Sequence, residues 1–273
     1  MKIGVYVDVV NLAMNGGFGM RYEALRAFAC RDAAEAVRLN AYVSYDAARA
    51  ETDTEYKLGQ FRFHSALRDV GYKVIRKETK WYTDESGAKI GKANVDLDLA
   101  VDALLQSATL ERVVLATGDG DFVQVVKALQ NKGCRVEVIA FDNVSADLRR
   151  EADLYMSGYL VPGLLPITRN GATQRKWGEI NGFARGVFYA HDASRGFGWI
   201  RYLTTVEAEL WRTDTRDPNS PYRNVFCHDS DLPNTVGTST LPNRNILFEF
   251  KIVEGTEAGK PKAVEVHAIR ART

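Results

Sequence analysis

Hydrophobic and polar positions in the first half of the chain switch between two periods. Lys2–Val7 is a short apolar run that stops at Asp8, as a buried strand does. Arg21–Ala36 has helical spacing and good helix formers. Leu39–Tyr45 reads as a second strand and Thr54–Val70 as a second helix, ended by Gly71. Tyr72–Ile75 is a short third strand. Lys77–Lys92 is polar and carries Ser-Gly and Gly-Lys, which predicts a long loop or a hairpin. Asn94–Ser107 is an amphipathic helix, Arg112–Ala116 a strand and Asp121–Lys132 a helix ended by Gly133. Arg135–Ala140 is a further strand and Ser145–Glu151 a short helix. Repeated strand–helix units predict an α/β fold, a parallel sheet covered by helices on both faces.

The pattern changes around Leu160. The stretch LVPGLLPITRNGATQRK concentrates Pro, Gly, Thr, Asn and Arg, as linkers do. Beyond Gly182, short strand-type runs dominate: Gly186–Tyr189, Trp199–Leu203, Asn224–His228, Ile246–Val253 and Ala263–Ile269. Five short strands with turn-rich joints predict a small all-β barrel, of which the OB type is one option. The expected division is residues 1–160 as an α/β domain, 161–179 as a linker and 180–273 as the barrel.

Composition narrows the class without choosing a function. A hydrophobic share of 45% and a charged share of 26% are those of a globular protein. A formal net charge of +1 argues against a uniformly basic surface and leaves the question of nucleic acid to local charge. Cys30, Cys134 and Cys227 are far apart and form no C-x-x-C pair, so neither zinc nor a disulfide framework is expected. Each reads as a small buried residue in a reducing compartment. The N-terminus has no long apolar segment of a signal peptide, and no run of about 18 apolar residues exists to span a membrane. These features predict a cytoplasmic protein with no membrane partner.

Chemistry concentrates in the acids of the first half. Ligands of parallel α/β sheets bind beyond the carboxyl ends of the strands, near the point where strand order reverses. Asp8 stands where the first strand ends, and Asp119 and Asp121, in T-G-D-G-D-F, where the fourth ends. Asp96, Asp98 and Asp102 open the helix between, and Asn11 follows Asp8 closely enough to reach the same crevice. Single acids at strand ends are commonly helix caps, and Asp102 is best read that way or as solvated. Three acids on two strand ends exceed what caps explain. Clustered carboxylates repel unless a cation neutralises them, and oxygen-rich sites suit Mg2+ or Mn2+. Such an ion can activate water for displacement at phosphorus. On this reading Asp8 and Asp119 are direct ligands, Asp96 and Asp121 complete the shell or orient water, and Asn11 and Thr117 bond a ligand or a phosphate.

Tyr6–Asn11 (Y-V-D-V-V-N), Lys92–Asp98 (K-A-N-V-D-L-D) and Thr117–Phe122 (T-G-D-G-D-F) resemble the three signature blocks of NYN domains, in the family's order. These are PIN-like ribonucleases that include the bacterial LabA-like proteins. The resemblance covers roughly residues 1–160. It implies a PIN-like, Rossmannoid sheet and Mg2+- or Mn2+-dependent cleavage of RNA. The family's acids fall on Asp8, Asp96, Asp119 and Asp121, and its first-block Asn on Asn11. Val9 stands where the family often has Gly.

In the second half, Arg195–Ile200 (R-G-F-G-W-I) and Val225–Ser230 (V-F-C-H-D-S) place aromatics in alternation. Alternation exposes them on one side of a sheet, where single-stranded bases stack at about 1–3 kcal/mol each. Arg195, Arg201 and Lys251 are candidate phosphate contacts; the opposing reading is ordinary barrel core. The segments resemble the two RNA-binding motifs of cold-shock domains, K-G-F-G-F-I and V-F-V-H-x-S, over roughly residues 180–270. That resemblance implies a cold-shock-like OB barrel with Phe197, Trp199, Phe226 and His228 at stacking positions. Ala190 replaces a Trp usual in that family, and the Arg201–Asn224 connection, which contains Trp211, is long. Gly87–Lys92, ending in Lys92, is a basic loop read either as a hold on RNA phosphates or as solvated.

Together these features predict a metal-dependent ribonuclease that captures single-stranded RNA on its barrel. The alternatives are a non-catalytic RNA-binding regulator, or a phosphatase or DNA nuclease using the same metal logic. A homo-oligomer is compatible with the sequence, which does not test it.

Overall fold

The computed structural model describes residues 1–273 except 84–86, 88, 170, 175, 208, 256–259 and 270–273, and except the side chains of 89–92 and 172. The chain divides into two units: Met1–Phe18 with Ala33–Met156, and Gly19–Asp32 with Ser157–Thr273.

In chain order the first elements are β1 (Lys2–Asp8), α1 (Val9–Leu12), α2 (Tyr22–Ala29), β2 (Glu35–Tyr45), α3 (Ala47–Thr52), α4 (Thr54–Asp69) and β3 (Lys73–Glu78). A hairpin of β4 (Lys80–Thr83) and β5 (Lys89–Lys92) follows. Then come α5 (Val95–Gln106), β6 (Arg112–Ala116), α6 (Val123–Asn131), β7 (Arg135–Ala140), α7 (Ala146–Glu151) and β8 (Leu154–Ser157). Helix α2 belongs to the second unit.

Six strands form one sheet in the order β3-β2-β1-β6-β7-β8. The β1–β2, β2–β3, β1–β6 and β6–β7 pairs are all parallel. The chain runs outward from β1 to β3, returns to β6 and runs outward again. Strand order therefore reverses between β1 and β6, the position where such sheets bind ligands. Every residue from Ile3 to Asp8 and from Arg112 to Ala116 is buried, as expected of strands covered on both faces. Tyr6, Tyr42, Leu115, Val136 and Val138 pack in one cluster with Leu99 and Ala103 of α5, Val126 and Leu129 of α6 and Leu148 of α7. A polar string runs beside it. The Tyr42 hydroxyl donates to Asp102 at 2.8 Å and accepts from Asn40, whose amide also donates to Gln106. Asp102 is thus a structural acid.

The helix expected over Arg21–Ala36 stops at Ala29. Asp32 and Ala33 take left-handed backbone angles (φ 60 and 54), and Glu35 and Ala36 pair with Lys2 and Ile3. Pairing with the central strand outweighs local helix propensity, which is a weak preference. β2 accordingly begins four residues before the expected Leu39. Cys134 and Cys227 are buried thiols as expected, whereas Cys30 is half-buried.

The second unit holds a short hairpin, β9 (Ile167–Arg169) and β10 (Ala172–Gln174), followed by β11 (Phe183–Asp192), β12 (Phe197–Leu203), β13 (Tyr222–His228), β14 (Leu247–Glu254) and β15 (Pro261–Ile269). The last five close a barrel in the order β11-β12-β13-β15-β14, consistent with an OB-like domain. Phe188, Ile200, Tyr202, Val225, Cys227, Phe248 and Phe250 fill it. Their period of two sends the intervening residues outward. The β11–β12 register shifts between Phe188 and Ala190, leaving Tyr189 as the extra residue. Gly198 lies beneath this bulge. A Cβ there would come 2.5 Å from the Ala190 carbonyl oxygen, so no other residue fits. Arg185, 4% exposed, bonds Glu249 at 2.8 Å and the Leu165 carbonyl at 2.8 Å. Trp177 Nε1 donates to the Leu203 carbonyl at 2.7 Å. These bonds tie part of the Pro- and Gly-rich segment to the barrel. No described helix is long and apolar enough to cross a membrane.

Leu99 is fully buried on α5, whereas Leu97 on the same helix is 62% exposed. Leu99→Ala is expected to cost about 2–5 kcal/mol in denaturant unfolding. Leu97→Ala should stay within about 0.5 kcal/mol of wild type. Equal losses would contradict the assigned packing face of α5.

Candidate functional site

The site is built where β1 and β6 end. Asp8 is the last residue of β1 and caps α1, its Oδ1 accepting the Asn11 backbone N–H at 2.9 Å. Val9 begins that helix, so the turn needs no glycine there. Thr117, fully buried just beyond β6, donates through its hydroxyl to Asp8 Oδ2 at 3.4 Å. The same hydroxyl accepts the Asp119 N–H at 3.3 Å. Asp119 caps the next tight turn, its Oδ1 accepting the Asp121 N–H at 3.0 Å. Asn11 closes the arrangement by accepting the Gly118 N–H on its Oδ1 at 2.9 Å. Gly120 is required by close approach, since a Cβ there would meet the Ser145 hydroxyl at 2.9 Å. Two strand-end loops are therefore bound to each other, and each spends one carboxylate oxygen on a cap.

Asp96 enters from the first turn of α5, where the helix dipole favours an anion. Asp8 and Asp96 stand within hydrogen-bonding reach of each other, with Asp119 nearby. Asp8 is only 3% exposed. Burial first, then the neighbouring Asp96 and Asp119, push its carboxyl from an ordinary 3.8 to about 6, against the lowering effect of the Asn11 N–H. The cavity in front of these groups holds about 820 Å³ and is lined by Asp8, Asn11, Asp96 and Asp119, with Ser44, Asp46, Arg49, Tyr56, Thr79 and Trp81 among its walls. The Arg49 guanidinium lies 4.5 Å over the Tyr56 ring and bonds Asp53 at 3.0 Å.

Four of the five residues expected at the crevice thus share one cavity. Asp121 is exposed and is not among the cavity's lining residues; its backbone N–H holds Asp119. Asp98 pairs with Lys77 at 2.7 Å. The side chain of Lys92 lies outside the described residues. Ser44, Asp46 and Thr79 were missed, although the rule that singled out Asp8 applies equally to the ends of β2 and β3. Arg49, Tyr56 and Trp81 carry no such signal.

Among the described residues, no group of three or more His, Cys, Asp or Glu side chains forms a ready metal cage. The donor chemistry still fits a hard divalent cation. Mg2+ keeps several waters and is commonly held through only one or two carboxylates. Asp8 and Asp96 supply two, within hydrogen-bonding reach of each other.

The barrel carries a second candidate surface. Phe197, Trp199 and Phe226 lie outside the core, with ring centroids 5.1 Å (Phe197–Trp199) and 5.3 Å (Phe197–Phe226) apart. They line a cavity of about 720 Å³ with Arg195, Asn224, Lys260 and Lys262. Arg195 lies 5.4 Å over the Phe197 ring and pairs with Asp192 at 2.8 Å. Asn224 donates to the Tyr189 hydroxyl at 2.7 Å, which puts the bulged Tyr189 beside this face. His228 is exposed, caps the following turn and bonds Ser230 at 2.9 Å; it does not line the cavity. Lys251 pairs with Glu265 at 3.4 Å. Trp211, in the long connection, is 71% exposed beneath Arg212.

A family model described as the NYN domain matches residues 2–160. The low amplitude and bright protein LabA of Synechococcus elongatus is 30% identical over 162 residues, which cover 57% of this chain and 82% of that protein. A crystal structure of a protein of unknown function from Vibrio parahaemolyticus is 26% identical with a TM-score of 0.46, covering 57% of this chain and 91% of that one. The chain belongs to the NYN domain family, whose members are generally nucleases.

Proposed function

We propose that the chain is a divalent-metal-dependent ribonuclease acting on single-stranded RNA. The observation that carries the reading is the buried Asp8 carboxylate, held against Asp96 and near Asp119 at the strand-order reversal and facing an open cavity. A bound Mg2+ or Mn2+ would lower the pKa of a water and steady negative charge on the phosphoryl group. Asp8 and Asp96 are the residues that would hold the ion. Thr117 and the Asn11 N–H fix the Asp8 carboxylate, so its geometry does not depend on the cation. Asp119 spends Oδ1 on its own turn and keeps Oδ2 for the attacking water, whose proton it accepts. Asn11 uses its side-chain oxygen on Gly118 and keeps its amide NH2 for a phosphate oxygen. The water oxygen would bond to phosphorus as the bond to the leaving ribose oxygen breaks, and that oxygen would take its proton from solvent water, leaving a hydroxyl.

The substrate class rests on the barrel as well. Outward aromatics offer stacking faces, and Arg195, Lys260 and Lys262 surround them with positive charge. That pairing of rings and cations suits a single strand with unstacked bases. Carrying both units on one chain raises the local concentration of captured RNA at the carboxylates. A non-catalytic RNA-binding regulator would bind RNA without cutting it, and competition between RNA, DNA and small phosphate esters separates a phosphatase or DNA nuclease.

Asp8→Asn is expected to lose at least the roughly 10–100-fold typical of disturbing a metal's supporting partners, measured as RNA cleavage in Mn2+. Unchanged cleavage would refute the mechanism. Phe226→Ala is expected to raise KM for single-stranded RNA about 5- to 100-fold with kcat little changed, the worth of one stacked base. Metal dependence can also be read without turnover. A carboxyl whose folded pKa is raised costs stability as pH climbs from its unfolded value near 3.8 to its folded value of about 6, and the whole cost stands above that. Metal-free wild type should therefore gain up to about 3 kcal/mol relative to Asp8→Asn between pH 7 and pH 4. At pH 7, Mn2+ should raise the melting temperature of wild type and not that of Asp8→Asn. Parallel pH profiles for the two proteins would contradict the assigned crowding.

A further inference from the structure

The walls of the acidic cavity carry chemistry that the carboxylates do not use. Trp81 lies on β4, in the hairpin inserted between β3 and the helix that brings Asp96. Side chains alternate along a strand, so Trp81 and Tyr82 face opposite sides. Trp81 lines the cavity, whereas Tyr82 does not. Its directly paired residue on β5 is Gly91, which presents no side chain across from the indole. The ring is 50% exposed, and no aromatic ring of the described residues stacks on it. Half exposed and on the cavity wall, the indole has a face open to whatever enters the cavity. The cavity also holds Arg49, its guanidinium fixed by Tyr56 and Asp53. One cavity therefore contains a free aromatic face, a held cation and the crowded carboxylates.

We propose that Trp81 and Arg49 form a nucleotide subsite beside the scissile phosphate. The base of the flanking nucleotide stacks on the Trp81 indole, and Arg49 bonds a neighbouring phosphate. The proposal rests on the ribonuclease reading and deepens it. A base stacked on Trp81 has left its own helix, so the cleavage step itself selects an unpaired nucleotide, whatever the barrel does. Trp81 is then a specificity-determining residue whose ring touches substrate.

RNA oligonucleotides with a single abasic position walked past the cleavage point provide the test, cleaved by wild type, Trp81→Ala and Trp81→Phe. In wild type, one abasic position next to the cut should lower kcat/KM about 5- to 100-fold. Trp81→Ala should lose a similar factor on intact RNA and show no further loss on that abasic substrate. Trp81→Phe, which restores a ring, should recover most of the difference. Equal kcat/KM for wild type and Trp81→Ala on intact RNA would overturn the subsite, as would an undiminished abasic effect in Trp81→Ala. If wild type cleaves no RNA, the ribonuclease reading fails, and the subsite is judged by binding alone. Titration with the uncleaved oligonucleotide should then quench more tryptophan fluorescence in wild type than in Trp81→Phe. Identical quenching would overturn the subsite by itself. Melting temperatures should agree among the three proteins, since the ring is half exposed.

Discussion

Asp8, almost wholly buried at the end of β1, and Asp96, exposed on the first turn of α5, approach within hydrogen-bonding reach at the cavity. Two carboxylates do not choose such a position. Asp8 is delivered by the end of a fully buried strand and Asp96 by the first turn of a helix packed on the same sheet. Neither can withdraw without disturbing a core of fully buried side chains. Burial first, and the neighbouring Asp96 and Asp119 second, hold the Asp8 carboxyl above its usual range. Thr117, the Asn11 N–H and the Asn11–Gly118 bond prevent the loops from relaxing away from it. A site of this kind lowers the stability of the empty protein and raises its affinity for whatever cation removes the repulsion. On the proposed function, that is the reason the acids sit at a strand-order reversal rather than on a solvated loop.

Capping and chemistry turn out not to be alternatives here. Asp8 and Asp119 each cap a turn with Oδ1, which orients the carboxylate and leaves the other oxygen turned elsewhere. An N-cap fixes a side chain at the end of a rigid element with one hydrogen bond. The carboxylates are thereby preorganised by the backbone that follows them, and Asp121 contributes to that support through its N–H rather than through its acid group.

Much of this was legible in the sequence because strand-end acids and buried apolar runs are local signals. Arg112–Ala116 and Arg135–Ala140 have the same limits in the sequence reading and in the structure. The five barrel strands were foreseen, four of them shorter than observed and the fourth in order displaced by one residue, because turn residues mark joints better than strand ends. Non-local effects were not legible. Arg21–Ala36 reads as one helix by propensity, yet Glu35 and Ala36 are claimed by β1, thirty-odd residues away. In the site, Asp8, Asn11, Asp96 and Asp119 follow from strand ends and motif blocks, while Asp121, equally acidic and two residues on, is turned outward. Arg49, Tyr56 and Trp81 reach the cavity only through the fold.

On the proposed function, the barrel and the acidic cavity would solve one recognition problem separately. In the barrel, a period of two puts Gly198, Ile200 and Tyr202 inward and leaves Phe197 and Trp199 outside the core, so the same alternation that builds the core builds the aromatic face. The bulge at Tyr189, which Gly198 accommodates, sets a further ring beside that face. In the cavity, a hairpin holds Trp81 opposite a glycine. Both surfaces offer π-faces to bases that a duplex would keep stacked. If each unit demands an unpaired base for itself, the selectivities multiply, and covalent linkage in one chain is sufficient to couple them. Discrimination against duplex would then survive loss of either aromatic surface in part and would vanish only with loss of both.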